Sequence, residues 1–390
     1  MKVCLVAQVE NWRGGIQQYS QNYAEALIKK AGACIVGYHS YFPLWLYPGE
    51  KNNITGQYRK WIQDVPVYNI LKYYSLLSVY KTFQLIRKKV KADIVDIQWC
   101  TTFHAPILIP LIFLLKRFSR ASVVITVHNV LPHENRFFDK ALCNIVYHLS
   151  DRLVVHSKKM KNDLIYMFNV SPEKVSVIPH GICLDYRNAI SREEAKRKLG
   201  ITEKKVILFF GLVRKYKGLE QLLTAFSKIK DDFDVALLIA GDFVEGKNKY
   251  EKMILEYEMK NKTYIHSRYI KDEDVPLFFC AADVLVLPYT HFTGQSGVPP
   301  TAYYYSRPII ASDVGGLPEI VIHNKTGLIV ESQDVNKIAD AMRFFLQNTE
   351  KIEEYGANAK RFLEQELSWD SIVAKMLRIY SKEIRFSTMK

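Results

Sequence analysis

The sequence predicts an α/β protein built from two doubly wound domains. Three observations carry this. A chain of 390 residues exceeds what one hydrophobic core organises. Apolar runs of strand length alternate with helical stretches, and that alternation stops at a polar segment and then begins again. Strands that read as continuous apolar runs are buried on both faces, as parallel strands covered by helices are.

In the first half the strand runs are VCLVA (3–7), ACIVGYH (33–39), DIVDIQW (93–99), SVVITVHN (122–129), RLVVHS (152–157) and KVSVIPH (174–180), with a helical stretch from about Gly15 to Lys30 after the first. Beyond Asp185, YRNAISREEAKRKLGITEKK is polar and strand-free, a linker with a short helix. The second half restarts with VILFFG (206–211), DVALLIAG (234–241), TYIHSRY (263–269), DVLVLPY (283–289), PIIASD (308–313) and GLIVE (327–331). The closing stretch, Asp334 to Tyr380, reads as helical, and no tandem repeat is visible. The expected domains are residues 1–185 and 186–370, with 371–390 a C-terminal helix packing back on the first. Two such domains are expected to face a cleft, with ligands beyond the carboxyl ends of the strands.

Charge is unevenly placed. Residues 1–184 carry 23 Lys and Arg against 11 Asp and Glu, and the remainder 31 against 29, within a total of +14. A basic half beside a nearly neutral one either faces something anionic or is a Lys-rich solvated surface. Six scattered cysteines without C-x-x-C spacing predict neither a disulfide framework nor a zinc site, as in a cytoplasmic protein. The apolar start from Val3 to Ala7 is far short of a signal-peptide core and reads as a strand. The longest apolar run, Ala105 to Leu115, holds Pro106 and Pro110 and is too short to span a bilayer. Followed by Lys116, Arg117 and Arg120, it reads as a buried helix or as one lying at a membrane surface.

Three pieces of the second half converge at strand ends. In FFGLVRKYKGLEQLLTAF (209–226), Gly211 ends a strand and Gly218 opens a helix, with Arg214 and Lys217 between them. Cations on such a loop suit a diphosphate. Tyr269 and Ile270 follow a strand, where backbone groups could meet a flat base. Between Tyr289 and Val330, a loop of small residues (Thr293, Gly294, Ser296, Gly297) opens onto a helix, leaving backbone N–H groups for a phosphate. Together these pieces resemble the donor-nucleotide half of the retaining GT-B glycosyltransferases of family 4, over roughly residues 205–335. By that resemblance Lys217 contacts the donor diphosphate and Arg214 stands in for the family arginine. Gly294 lies in the donor loop, and the amides of Ser296, Gly297 and Val298 contact phosphate. The family's paired glutamates are replaced by Thr293, near the sugar, and Thr301, which offers the ribose one oxygen. Glu319 matches a common family position, donor-binding by resemblance and helix-capping on its own reading.

In the first half, RGGIQQY (13–19) resembles the family's glycine loop, which places Gly14 and Gln17 on the acceptor side and Gly15 against the donor. His128, at the end of TVHN, resembles the histidine that contacts the reacting sugar; a lone histidine at a strand end is otherwise a structural hydrogen-bond partner. His156 and His180 end strands too and read as structural. The resemblance implies two Rossmann-like domains and metal-independent transfer of a sugar, with retention, from a nucleotide-diphosphate donor to a glycan or lipid-linked hydroxyl acceptor in cell-surface glycan assembly. No cofactor, metal or nucleic acid is expected. Aromatic stretches at 38–49 and 68–81 in the basic half suggest a cytoplasmic protein peripheral to an anionic membrane. The two threonines leave open a non-catalytic sugar-nucleotide-binding subunit, and a sugar-nucleotide epimerase shares the expected fold.

Overall fold

The computed structural model describes residues 1–8, 15–40, 66–131, 137–181, 190–292 and 296–388. The chain divides into two compact units, Met1–Cys183 with Ser368–Lys390, and Leu184–Leu367.

Unit 1 runs β1 (Lys2–Val6), α1 (Gly15–Ile28), β2 (Gly32–Ser40), β3 (Val67–Lys72), α2 (Leu76–Gln84), β4 (Ile94–Trp99), α3 (Ala105–Phe118), β5 (Ser122–Val127), α4 (Asp139–Leu149), β6 (Arg152–Val155), α5 (Lys158–Phe168) and β7 (Val175–Val177). Among the described residues its strands form one parallel sheet in the order β3-β2-β1-β4-β5-β6-β7. Alternation along β5 sends Val123, Ile125 and Val127 to the α2–α4 side and Val124 to the α1 side. On that second side, Asp96 and Thr126 face each other across β4 and β5.

The strand β3 overlaps the start of the aromatic stretch 68–81, which therefore is not one exposed segment. Its first half pairs in the sheet edge and its second half is α2. In α3, Ile107, Leu108, Leu111, Ile112 and Leu115 are buried, so one face of the apolar run is core. Pro106 sits in the first turn, where its missing N–H is not needed. No helix among the described residues is long and apolar enough to cross a membrane.

Unit 2 runs α6 (Arg192–Leu199), β8 (Lys205–Phe210), α7 (Leu219–Ser227), β9 (Val235–Ala240), α8 (Asn248–Glu256), β10 (Thr263–His266), α9 (Val275–Ala281), β11 (Val284–Leu287), α10 (Val298–Tyr304), β12 (Ile309–Ser312), α11 (Leu317–Ile320), β13 (Gly327–Val330), α12 (Val335–Gln347) and α13 (Thr349–Phe362). Its parallel sheet has the order β10-β9-β8-β11-β12-β13. The chain then returns to unit 1 as α14 (Trp369–Thr388). Two anchors hold α14 there. Arg152 on β6 donates through Nε to Glu383 at 2.7 Å, and the Tyr380 hydroxyl donates to buried Asp96 on β4 at 2.7 Å.

Candidate functional site

In unit 2 the site begins where β8 stops. Gly211 has φ +108°, and a Cβ on Gly241 would fall 1.9 Å from the Gly211 carbonyl oxygen, so the ends of β8 and β9 close together only as glycines. Beyond them Arg214 precedes a 3₁₀ turn, Lys215–Lys217, that Gly218 ends at φ +71°. A Cβ there would meet the Pro288 carbonyl oxygen at 1.8 Å. This close approach sets Lys217 beneath the end of β11.

Lys217 is only 8% exposed, and no carboxylate among the described residues pairs with it. Its ammonium donates to the Tyr289 hydroxyl and lies 4.1 Å from the centre of the Tyr289 ring. Because an ammonium only donates, the Tyr289 proton is directed on to Ser296 Oγ, 3.2 Å away. Ser296 Oγ also accepts from the Val298 N–H at 3.3 Å, which leaves the serine's own proton for an incoming oxygen. Burying an unpaired cation is costly, and a cation–π contact offsets about 0.5–2 kcal/mol of that. The arrangement is therefore best satisfied by an anion. Arg214 is exposed at the rim, unpaired among the described residues.

Several expectations need correction. Pro299 and Pro300 open α10 and carry no N–H, and the Val298 amide is taken by Ser296. Only the amides of Ser296 and Gly297 lack a partner among the described residues, fewer than a helix end ordinarily offers. Thr301 is 6% exposed and donates its hydroxyl proton to the Gly297 carbonyl at 3.3 Å, so that oxygen is left as an acceptor only. Thr293 and Gly294 lie outside the described residues. Gly211 lies near the start of α10: the position of its missing Cβ is 3.8 Å from Val298 Cγ2. Gly315, at φ +59°, packs on the Phe292 backbone, and Phe292 stacks on Tyr216 at 6.0 Å, which frames the loop. Glu319 is half-buried in the first turn of α11, where a carboxylate suits the helix dipole. Tyr269 is exposed and Ile270 buried just beyond β10.

In unit 1, Gly15 starts α1 and Gln17 is half-buried on it, while Gly14 lies outside the described residues. Two residues past Gln17, the Tyr19 ring is ringed by His128 at 4.8 Å, His156 at 5.1 Å, His180 at 4.7 Å and Trp369 of α14 at 5.1 Å. His128 is buried with both ring nitrogens engaged: Nε2 lies 2.9 Å from Gln98 Oε1 and Nδ1 3.3 Å from His156 Nε2. His156 Nδ1 donates to the Ile178 carbonyl at 3.0 Å. Burial drives all three histidines down, His128 well below its ordinary value, His156 to about 3 and His180 to about 4.

The proton order follows from the Ile178 carbonyl, which only accepts. A neutral His156 carries its proton on Nδ1, so Nε2 must accept from His128 Nδ1–H. His128 Nε2 is then bare, and a half-turn of the Gln98 amide supplies the N–H it needs. His128 is thus a neutral member of an internal hydrogen-bonded chain. Asp96, two residues before Gln98 on the same face of β4, is pushed up to about 6 by burial.

Sequence reasoning missed Tyr289 as the partner of Lys217, 72 residues away. The ring cluster around Tyr19 was also missed, and no local signal announces it. No group of residues suited to a metal ion occurs among the described residues.

Comparisons with known proteins agree with this architecture. The chain matches the solved sucrose-phosphate synthase of Thermosynechococcus elongatus with TM-score 0.75 at 18% identity, covering 98% of this chain and 99% of that one. It matches Anabaena HepE, solved in complex with UDP, with TM-score 0.76 at 18% identity, covering 98% and 100%. These likenesses and the two parallel sheets define the GT-B fold. The family models for Glycosyltransferase Family 4 and Glycosyl transferases group 1 match residues 13–186 and 191–362 respectively. The chain belongs to the family-4 type of GT-B glycosyltransferases. An uncharacterised glycosyltransferase of Methanocaldococcus jannaschii is 28% identical over 236 residues, 59% of this chain and 60% of that protein. Spore coat protein SA of Bacillus subtilis is 28% identical over 198 residues, 49% of this chain and 52% of that protein. The chain therefore spans between half and two thirds of the length of these relatives.

Proposed function

We propose that the protein transfers a sugar from a nucleoside-diphosphate donor to a hydroxyl acceptor, with the diphosphate held by unit 2. The buried Lys217 ammonium, without a carboxylate and aimed with Tyr289 and Ser296 at one place, is the observation that carries this. A leaving diphosphate gains negative charge as the glycosidic bond breaks. Lys217, the Ser296 hydroxyl, the Ser296 and Gly297 amides and Arg214 would stabilise that charge as fixed dipoles and cations, with no metal needed. Retention of configuration, with the leaving phosphate accepting the acceptor's proton, is what the family resemblance implies for this transfer.

Anabaena HepE is solved with UDP-glucose as well as UDP, which makes uridine the first base to test. A D-inositol 3-phosphate glycosyltransferase is 25% identical over 244 residues, which supports a hydroxyl acceptor, here glycan or lipid-linked in cell-surface assembly. The buried Thr301 hydroxyl sets the ribose contact apart from the family pattern. The test is a thermal-shift screen of nucleotide sugars, followed by product analysis with the best donor. Transfer with release of nucleoside diphosphate supports the reading. Binding without turnover favours the non-catalytic subunit, and an isomerised sugar without diphosphate release favours an epimerase.

A further inference from the structure

We propose that the outer face of α2 and α3 in unit 1 docks on the surface of an anionic phospholipid bilayer. The inner face of α2 is core, with Val79 and Phe83 buried. Its outer face exposes Leu76 at 68%, Leu77 at 62% and Tyr80 at 52%, and α3 beside it exposes Phe113 and Phe118. The two helices are joined by a row of rings, Tyr80 to Phe83 and Phe83 to Phe118, each 6.4 Å apart. An apolar strip of this kind on a solvated surface marks an interaction site.

Its charge says with what. Residues 67–92 hold Lys72, Lys81, Arg87, Lys88, Lys89 and Lys91 without one Asp or Glu, and residues 97–120 hold Lys116, Arg117 and Arg120, again without one. Lys116 pairs with Asp151, but Lys81, Arg87, Lys88 and Arg117 make no ion pair among the described residues. Arg87 lies over the Phe83 ring at 5.9 Å and Arg117 over Phe118 at 5.3 Å, so cations border the apolar strip. Lys81 and Lys88 share the helical stripe of Leu77 and Tyr80.

A bilayer interface meets every part of this face. Leucine and phenylalanine enter the acyl boundary, tyrosine sits at headgroup depth, and Lys and Arg reach the lipid phosphates. A nucleic acid would answer the cations and leave the leucines against water. A second copy meeting this face through two-fold symmetry would set like charges together. The proposal does not depend on sugar transfer, since its readout needs no donor.

The full chain is sedimented with vesicles of phosphatidylcholine alone, and with one third phosphatidylglycerol, at low and high salt. Binding is expected only with phosphatidylglycerol and should fall with salt. Each cation near such a surface is worth about fivefold, so Lys81→Gln, Arg87→Gln and Lys88→Gln together should weaken binding about a hundredfold. Leu76→Ser with Leu77→Ser should weaken the part of binding that salt leaves. All five positions are exposed, so circular dichroism and the unfolding midpoint should match the parent chain. Equal binding to both vesicles, or unchanged binding by both variants, would overturn the proposal. So would a duplex oligonucleotide or self-association that takes up the same face in preference to vesicles.

Discussion

The histidine chain around Tyr19 makes unit 1 sensitive to acid, and His156→Gln isolates the effect. His156 is 3% exposed, and burial lowers it from 6.5 to about 3. Its folded value lies below its unfolded one, so the unfolded chain takes up the proton first. Stability present above about pH 6.5 is then lost as pH falls toward 3. Between pH 7 and pH 5 that loss is about 2 kcal/mol for His156 alone. His128 and His180 act in the same direction. Asp96 opposes them. Raised from 3.8 to about 6, it favours the folded chain as it gains a proton, by about 1 kcal/mol over the same interval. The assay is urea unfolding of the parent chain and of His156→Gln at both pH values. The parent should lose about 2 kcal/mol more than the variant on acidification, whatever the variant's own stability. An identical pH dependence, or a His156 ring that titrates near 6.5 by NMR, would refute the claim that burial holds His156 neutral.

Other outcomes follow from the same geometry. Tyr289→Phe removes the oxygen that receives the Lys217 proton while keeping the ring, and a hydrogen bond to a charged group is worth about 1.5–3 kcal/mol. Calorimetry should show nucleoside-diphosphate affinity falling at least tenfold, and unchanged affinity would remove Tyr289 from the site. Gly218→Ala should destabilise unit 2 by about 3 kcal/mol or more, because its Cβ meets the Pro288 carbonyl at a left-handed φ. A variant with the parent's unfolding midpoint would contradict that close approach.

Much of the fold was legible because parallel strands buried on both faces write themselves as apolar runs, as Val206–Phe210 and Val235–Ala240 do. The edge strand Val67–Lys72 was hidden because an edge alternates, and its aromatics resemble a surface stretch. The glycines around Lys217 were readable as turn chemistry, since positive φ at Gly211 and Gly218 has few other solutions. Two consecutive prolines after Val298 already removed amide donors from that loop, a chemical fact present in the residues themselves. The engagement of His128 was not legible, because Gln98 and His156 reach it from distant positions along the chain. The chain returns to unit 1 at Ser368, and pairings such as Glu383 with Arg152 hold it there.

The central claim is that Lys217 stabilises a leaving diphosphate. Its most direct test is release of nucleoside diphosphate by the purified chain and by Lys217→Ala, at matched donor and acceptor. The parent should turn over, and the variant should lose about 10²–10³-fold in kcat while keeping its fold. A variant that releases diphosphate at the parent's rate would contradict the account.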